Sequence, residues 1–196
     1  MRFDVPFRRQ ESDLECGPAA LQMATAFLGE EKDLEQIRDL LDFSDNAVYT
    51  IQLATAACKL GFEADFYSSD LQNEHDKEYY EEHAEEIPNE KLNSEARDAG
   101  VNIREENLEL EEILELLDED QIPIVLLDWN EVQDGNGYLG HFVVLTGYTD
   151  SKIIIHNSDS GEGDYVKISR KTFDKARKAD GTDQDVAVVK KRGLKP

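Results

Sequence analysis

Residues 8–29, RRQESDLECGPAALQMATAFLG, set a cysteine directly before Gly17 and Pro18 and then run into a row of good helix formers. Pro18 is at home in a first turn, Leu21, Ala24, Phe27 and Leu28 recur at helical spacing, and Gly29 ends the run, so a helix starting near Cys16 is predicted. A thiol at a helix start can pack or react, and the local pattern alone leaves both open. Working outward, RFDVPF alternates Phe3, Val5 and Phe7, which suits a short edge strand that tolerates Pro6. Downstream, an amphipathic helix is expected over 33–41, and another from Thr50, as N-cap, to a stop at Gly61. FEADFYS reads as a strand, NLELEEILELLDEDQ as a helix, and IPIVLLDW, GHFVVLTGY, KIIIHN and DYVKIS as strands. RKTFDKARKA is a helix and DVAVVKK a last strand. Helices first and strands after, without regular βα alternation, predict an α+β fold with a largely antiparallel sheet.

The 196 residues fit one domain, 1–196, and 39% hydrophobic content suffices for a core without staples. Residues of about 69–100 are dense in charge, poor in branched aliphatics and broken by Pro88, so they read as an acidic, solvated helical insertion, either padding or a lid over a cleft. Forty-four acidic against twenty-one basic residues give a net charge of −23, which disfavours nucleic acid and anionic lipid as partners. The surplus is a solvated surface or a means of steering cationic peptides. No apolar run is long enough for a membrane span or a signal peptide, which places the chain in the cytoplasm. In that reducing setting Cys16 and Cys58 are expected as free thiols. Cys58 lies on an apolar helix face with Leu53, Ala57 and Leu60 and reads as packing.

A reactive cysteine needs its pKa lowered, and a helix N-terminus contributes only about 0.3–1 kcal/mol, so a neighbouring imidazolium is required. His75 and His83 sit among carboxylates, where a solvated face is the simpler reading than a metal site, and His156 ends the strand KIIIH. His141, behind Gly140 at the start of an apolar strand, is on a rigid element and is the candidate base. Asn157, at the end of the next strand, can orient it if the two strands pair through the turn near YTDSK, with Asp159 as the alternative. Gln10, a short loop before Cys16, is the candidate side-chain donor to an oxyanion, beside the Cys16 backbone N–H. Trp129 either lines the cleft or caps the core.

Gln10, Cys16 with the following GPAAL, His141 with FVVLTGY, and Asn157, in this order, resemble the C39 peptidases, papain-like cysteine peptidases whose best-known members remove leaders in bacteriocin exporters. The stand-alone prokaryotic C39-like proteins resemble the chain more specifically, including a tail of strand, helix and strand echoed by residues 165–190. The resemblance implies a papain-like fold, Cys16 as nucleophile, His141 as base, Asn157 as its orienting residue and Gln10 in the oxyanion hole, with no cofactor and no metal. It implies a peptide or protein substrate cleaved by a thiol hydrolase; a catalytically inactive peptide-binding module and an acyl transferase are the alternatives. Exporter peptidases carry Asp at the orienting position, where this chain has the Asn of papain itself. They also carry transporter segments and an ATPase, which this sequence does not show, so a double-glycine leader is not the expected substrate. The oligomeric state is not legible in the sequence.

Overall fold

In the computed structural model, residues 1–41, 48–71, 87–159 and 162–193 are described. The predicted α+β architecture is present. Helices α1 (Cys16–Phe27), α2 (Leu34–Leu41) and α3 (Thr50–Lys59) precede β1 (Glu63–Ser68), α4 (Asn89–Ala99), β2 (Asn102–Glu105) and α5 (Leu110–Asp118). Then come β3 (Ile122–Asp128), the single turn α6 (Asn130–Gln133), β4 (Gly140–Tyr148), β5 (Lys152–His156), β6 (Val166–Ser169), α7 (Arg170–Arg177) and β7 (Val186–Lys190). The strands form one sheet in the order β2-β1-β7-β3-β4-β5-β6.

Every residue of β3 is buried, so helices cover both faces of the sheet at its centre, which is why IPIVLLD is an unbroken apolar run rather than an alternating one. Helix α1 is buried through most of its length, from Cys16 to Thr25, and packs on β4, α2 and α3. That makes it a core helix, with only Gln22, Ala26 and Phe27 partly exposed. Helix α2 buries Ile37 and Leu41 and packs Leu40 against the core, as its amphipathic pattern requires. Asp185, at the start of β7, has its carboxyl fully enclosed near Thr50 and Ser68.

The structure corrects several expectations. The chain's first residues form no strand: Arg2 makes a single bridge to Gly147, and the Phe3 N–H donates to the Thr146 carbonyl at 2.7 Å. Pro6 lacks the N–H that would continue a ladder, so the segment runs as a strap with Val5 buried. A Cβ at Gly147 would stand 2.5 Å from the Met1 carbonyl oxygen, so the strap can approach β4 only at a glycine. The N-cap of α3 is Tyr49, whose N–H donates to the Gln52 side chain at 2.8 Å, while Thr50 is already helical and buried. Strand β2 was not predicted, and it pairs with β1 in parallel, an exception to the antiparallel rule of the sheet. Of the expected insertion at 69–100, residues 72–86 lie outside the described residues, and α4 buries Leu92 and Ala96, packing on α3.

Candidate active site

Cys16 is the first residue of α1 and is buried. The residue before it, Glu15, is also buried and anchors the loop: its carboxylate accepts from the Glu11 N–H at 3.0 Å and from Arg38 Nε of α2 at 2.6 Å. The residue after it must be glycine for a reason of space. A Cβ on Gly17 would meet Val48 Cγ2 at 2.7 Å and Phe142 Cδ2 at 3.3 Å, so its absence lets the start of α1 sit against β4. The sulfur thereby lies near the backbone N–H groups of Phe142 and Gly17, both of which act to lower its pKa.

His141, the second residue of β4, is buried and pairs across the ladder with Leu127. The turn after β4 closes as anticipated, with the Thr149 N–H donating to the Lys152 carbonyl at 2.8 Å and β4 and β5 antiparallel. The ladder pairs Val144 with His156. Continued one step, it sets Asn157 opposite Val143 and diagonal to His141 on the same face of the sheet, a spacing within side-chain reach. Asn157 Oδ1 stands 2.8 Å from His141 Nε2. The same Oδ1 accepts the Asp159 N–H at 3.0 Å, which identifies it as oxygen, so Nε2 carries the hydrogen of that contact. The other ring nitrogen, Nδ1, is left for the sulfur, whose proximity raises the imidazole.

The electrostatics follow from this geometry. Burial is the largest influence on the Cys16 thiol and would push its pKa up, but the charge and hydrogen bond of His141 and the two backbone donors outweigh it, and the thiol lies below its ordinary value. Burial likewise acts first on His141, lowering it, and is overcome by Cys16, then by the Asn157 hydrogen bond and the charge of Asp159, so the imidazole lies above its ordinary value. Opposite shifts on touching groups favour a thiolate–imidazolium pair. Cys58 is a contrast: half-buried and without an imidazole, its thiol is pushed up by burial.

Gln10 is buried and held by three bonds: its N–H to the Ser158 carbonyl (3.1 Å), its Oε1 accepting the Ser158 hydroxyl (2.8 Å), and its Nε2 donating to the Ser12 carbonyl (2.9 Å). Trp129 packs against the hydrophobic core and also lies beside the candidate base. Its indole lies 5.2 Å from the His141 ring, centroid to centroid, at 54°, and so covers the base. His156 belongs elsewhere: Nε2 donates to the Val5 carbonyl (2.7 Å) and Nδ1 accepts from the Tyr165 N–H (3.1 Å), a neutral ring that pins the strap. His75 and His83 lie outside the described residues. Among the described residues no group of three or more His, Cys, Asp or Glu side chains is placed to hold a metal, and no helix is long and apolar enough to cross a membrane. Missed by sequence reasoning were Ser158 and the Phe142 N–H, a backbone group that no residue type announces.

The fold is that of the papain-like C39 peptidase domains. The chain superposes on a candidate C39-like peptidase from Bacillus anthracis with a TM-score of 0.63 at 16% identity, covering 97% of this chain and 96% of that one. It also matches a double glycine motif protease from an AMS/PCAT transporter, solved in complex with the leader peptide, with a TM-score of 0.56 at 22% identity over 97% of this chain and 94% of the other. Within that fold, the chain belongs to the guanylylate cyclase family, whose sequence model matches residues 5–189. A curated relative, guanylyl cyclase 1 of Arabidopsis thaliana, is 26% identical over 208 residues, covering 95% of this chain and 75% of that protein.

Proposed function

We propose that the protein is a thiol hydrolase that cleaves a peptide or related amide bond. The reading is supported by the 2.8 Å contact of His141 Nε2 with Asn157 Oδ1, together with a thiol lowered by His141 and an imidazole raised by Cys16. The thiolate attacks the carbonyl carbon, and the carbonyl electron pair moves onto oxygen, held by the Cys16 N–H and the Gln10 amide. His141 gives its proton to the leaving amine, the carbonyl re-forms, and water, deprotonated by His141, releases the acyl group. Asn157 keeps Nδ1 turned toward the sulfur throughout. The leader peptide bound to the AMS/PCAT transporter protease supports a peptide as the occupant of the cleft.

The family and its Arabidopsis relative favour a second reading, closure of GTP to its cyclic monophosphate. That reaction concentrates negative charge on phosphate oxygens and calls for cations around them. Arg38, beside the Cys16 loop, is committed to Glu11 and Glu15, and the chain carries a net charge of −23, so the hydrolase reading is the stronger.

Titration of the protein with iodoacetamide across pH tests the proposal. Rapid alkylation of Cys16 well below an ordinary thiol pKa of about 8.5, lost in His141→Ala, is expected. An ordinary profile in both proteins would overturn it. Incubation of wild type and Cys16→Ala with GTP and Mg2+ or Mn2+, read for cyclic GMP by mass spectrometry, tests the second reading directly.

A further inference from the structure

Asn157 and Ser158 are consecutive, and their side chains reach different halves of the site. Asn157 bonds His141, while the Ser158 hydroxyl donates to Gln10 Oε1 at 2.8 Å and the Ser158 carbonyl accepts the Gln10 N–H at 3.1 Å. Ser158 is wholly buried, so its hydroxyl has no water to turn to, and a donor held against Oε1 decides which end of the amide is which. An amide has two chemically opposite ends of the same shape. Only one of them can stabilise an oxyanion.

We infer that Ser158 is the positioning residue of the oxyanion hole: its hydroxyl locks the Gln10 amide with oxygen inward, leaving Nε2 as the donor. Nε2 uses one hydrogen on the Ser12 carbonyl at 2.9 Å and retains the other for the developing charge. Without Ser158, Oε1 loses its donor in a buried position and the amide turns to find another, carrying Nε2 away. The inference rests on the hydrolase reading above and deepens it. It makes the dipeptide Asn157–Ser158 a single brace for base and oxyanion donor, which are otherwise supplied by opposite ends of the chain.

Two reactions of the same sulfur separate this role from general damage. Alkylation by iodoacetamide passes through no oxyanion and reports only the thiolate. Acylation by p-nitrophenyl acetate does pass through one: the C–S bond forms as the carbonyl pair moves to oxygen, and the carbonyl re-forms as the C–O bond to p-nitrophenolate breaks. The ratio of the two rates, corrected with Cys16→Ala for reaction elsewhere, therefore reads the oxyanion hole. Removing one such donor costs about 100-fold, so Gln10→Ala is expected to lower the ratio by about that factor and Ser158→Ala by about tenfold. Ser158→Thr, which keeps the hydroxyl, is expected to retain the wild-type ratio, and Ser158→Gly serves should the alanine variant not fold. In the Gln10→Ala background, Ser158→Ala is expected to change nothing further, because its effect passes through Gln10. An unchanged ratio in Ser158→Ala, or an equal loss with Gln10 already removed, overturns the inference while leaving the hydrolase reading standing. A Cys16 no more reactive than Cys58 toward iodoacetamide in wild type overturns both.

Discussion

Asn157 Oδ1 receives two hydrogens at once, from His141 Nε2 at 2.8 Å and from the Asp159 backbone at 3.0 Å. The second bond stops the amide from flipping, so the first keeps its polarity. Asn157→Ala removes a hydrogen bond to a charged ring, and such bonds are worth about 1.5–3 kcal/mol, so Cys16 acylation by p-nitrophenyl acetate is expected to slow by about 10–100-fold. Asn157→Asp replaces the amide by a carboxylate and is expected to raise the His141 pKa further, measured by NMR titration of the ring.

The proposed thiolate–imidazolium pair has two edges in pH. Cys16 is shifted down and His141 up, so the reactive pair persists between them; the rate falls on the acid side as the thiolate gains a proton and on the alkaline side as the imidazolium loses one. A bell-shaped acylation profile is expected. Cys16→Ala removes the partner that holds the imidazole up against its burial, so the His141 pKa is expected to fall, again by ring NMR.

Gly17→Ala places a methyl 2.7 Å from Val48 and 3.3 Å from Phe142. Overpacking of this kind costs about 1–3 kcal/mol, read as a lower denaturant midpoint. It also pushes the start of α1 off β4, so the sulfur is expected to lose the Phe142 N–H and with it part of its reactivity toward iodoacetamide.

Burial is the chief cause holding the Asp185 carboxyl at about 8, with Asp183 and Asp70 acting the same way and the Ser68 and Thr50 hydroxyls against them. The folded pKa is above the unfolded value of about 3.9, so the group's contribution to stability is full below pH 4 and is lost as pH rises through about 8. Asp185→Asn, which cannot ionise, is therefore expected to gain on wild type progressively between those limits, seen as a widening difference in denaturant midpoint from pH 5 to pH 8.5.

The elements that hold the candidate site are the easiest to read. Helix α1 and strands β3 to β5 have long apolar patterns, and the turn between β4 and β5 brings Asn157 beside His141 as the spacing suggests. Strand β2 escaped notice because Asn102, Arg104 and Glu105 are exposed and its partner β1 lies across a crossover, so neither alternation nor a hairpin turn marks it. The strap deceived for the opposite reason: Phe3, Val5 and Phe7 alternate as a strand would, yet Pro6 breaks the ladder and the aromatic rings anchor on Phe27 and His156. Gly17 carries no signal of its own in the sequence, because its reason is the approach of Val48 and Phe142, contacts between segments that no local pattern encodes. Ser158 was hidden likewise, since a serine in a turn-rich stretch carries no mark of the residue 148 positions away that it orients.

That separation has a temporal meaning. Gln10 and Cys16 precede every strand of the sheet, whereas His141 lies on β4 and Ser158 follows β5, so the proposed site is complete only once segments far apart in the chain have met. Until the β4–β5 hairpin docks against α1, the unfolded chain carries an ordinary thiol and a freely turning amide. On the proposed mechanism, assembly of the sheet is thus also the step that arms the cysteine.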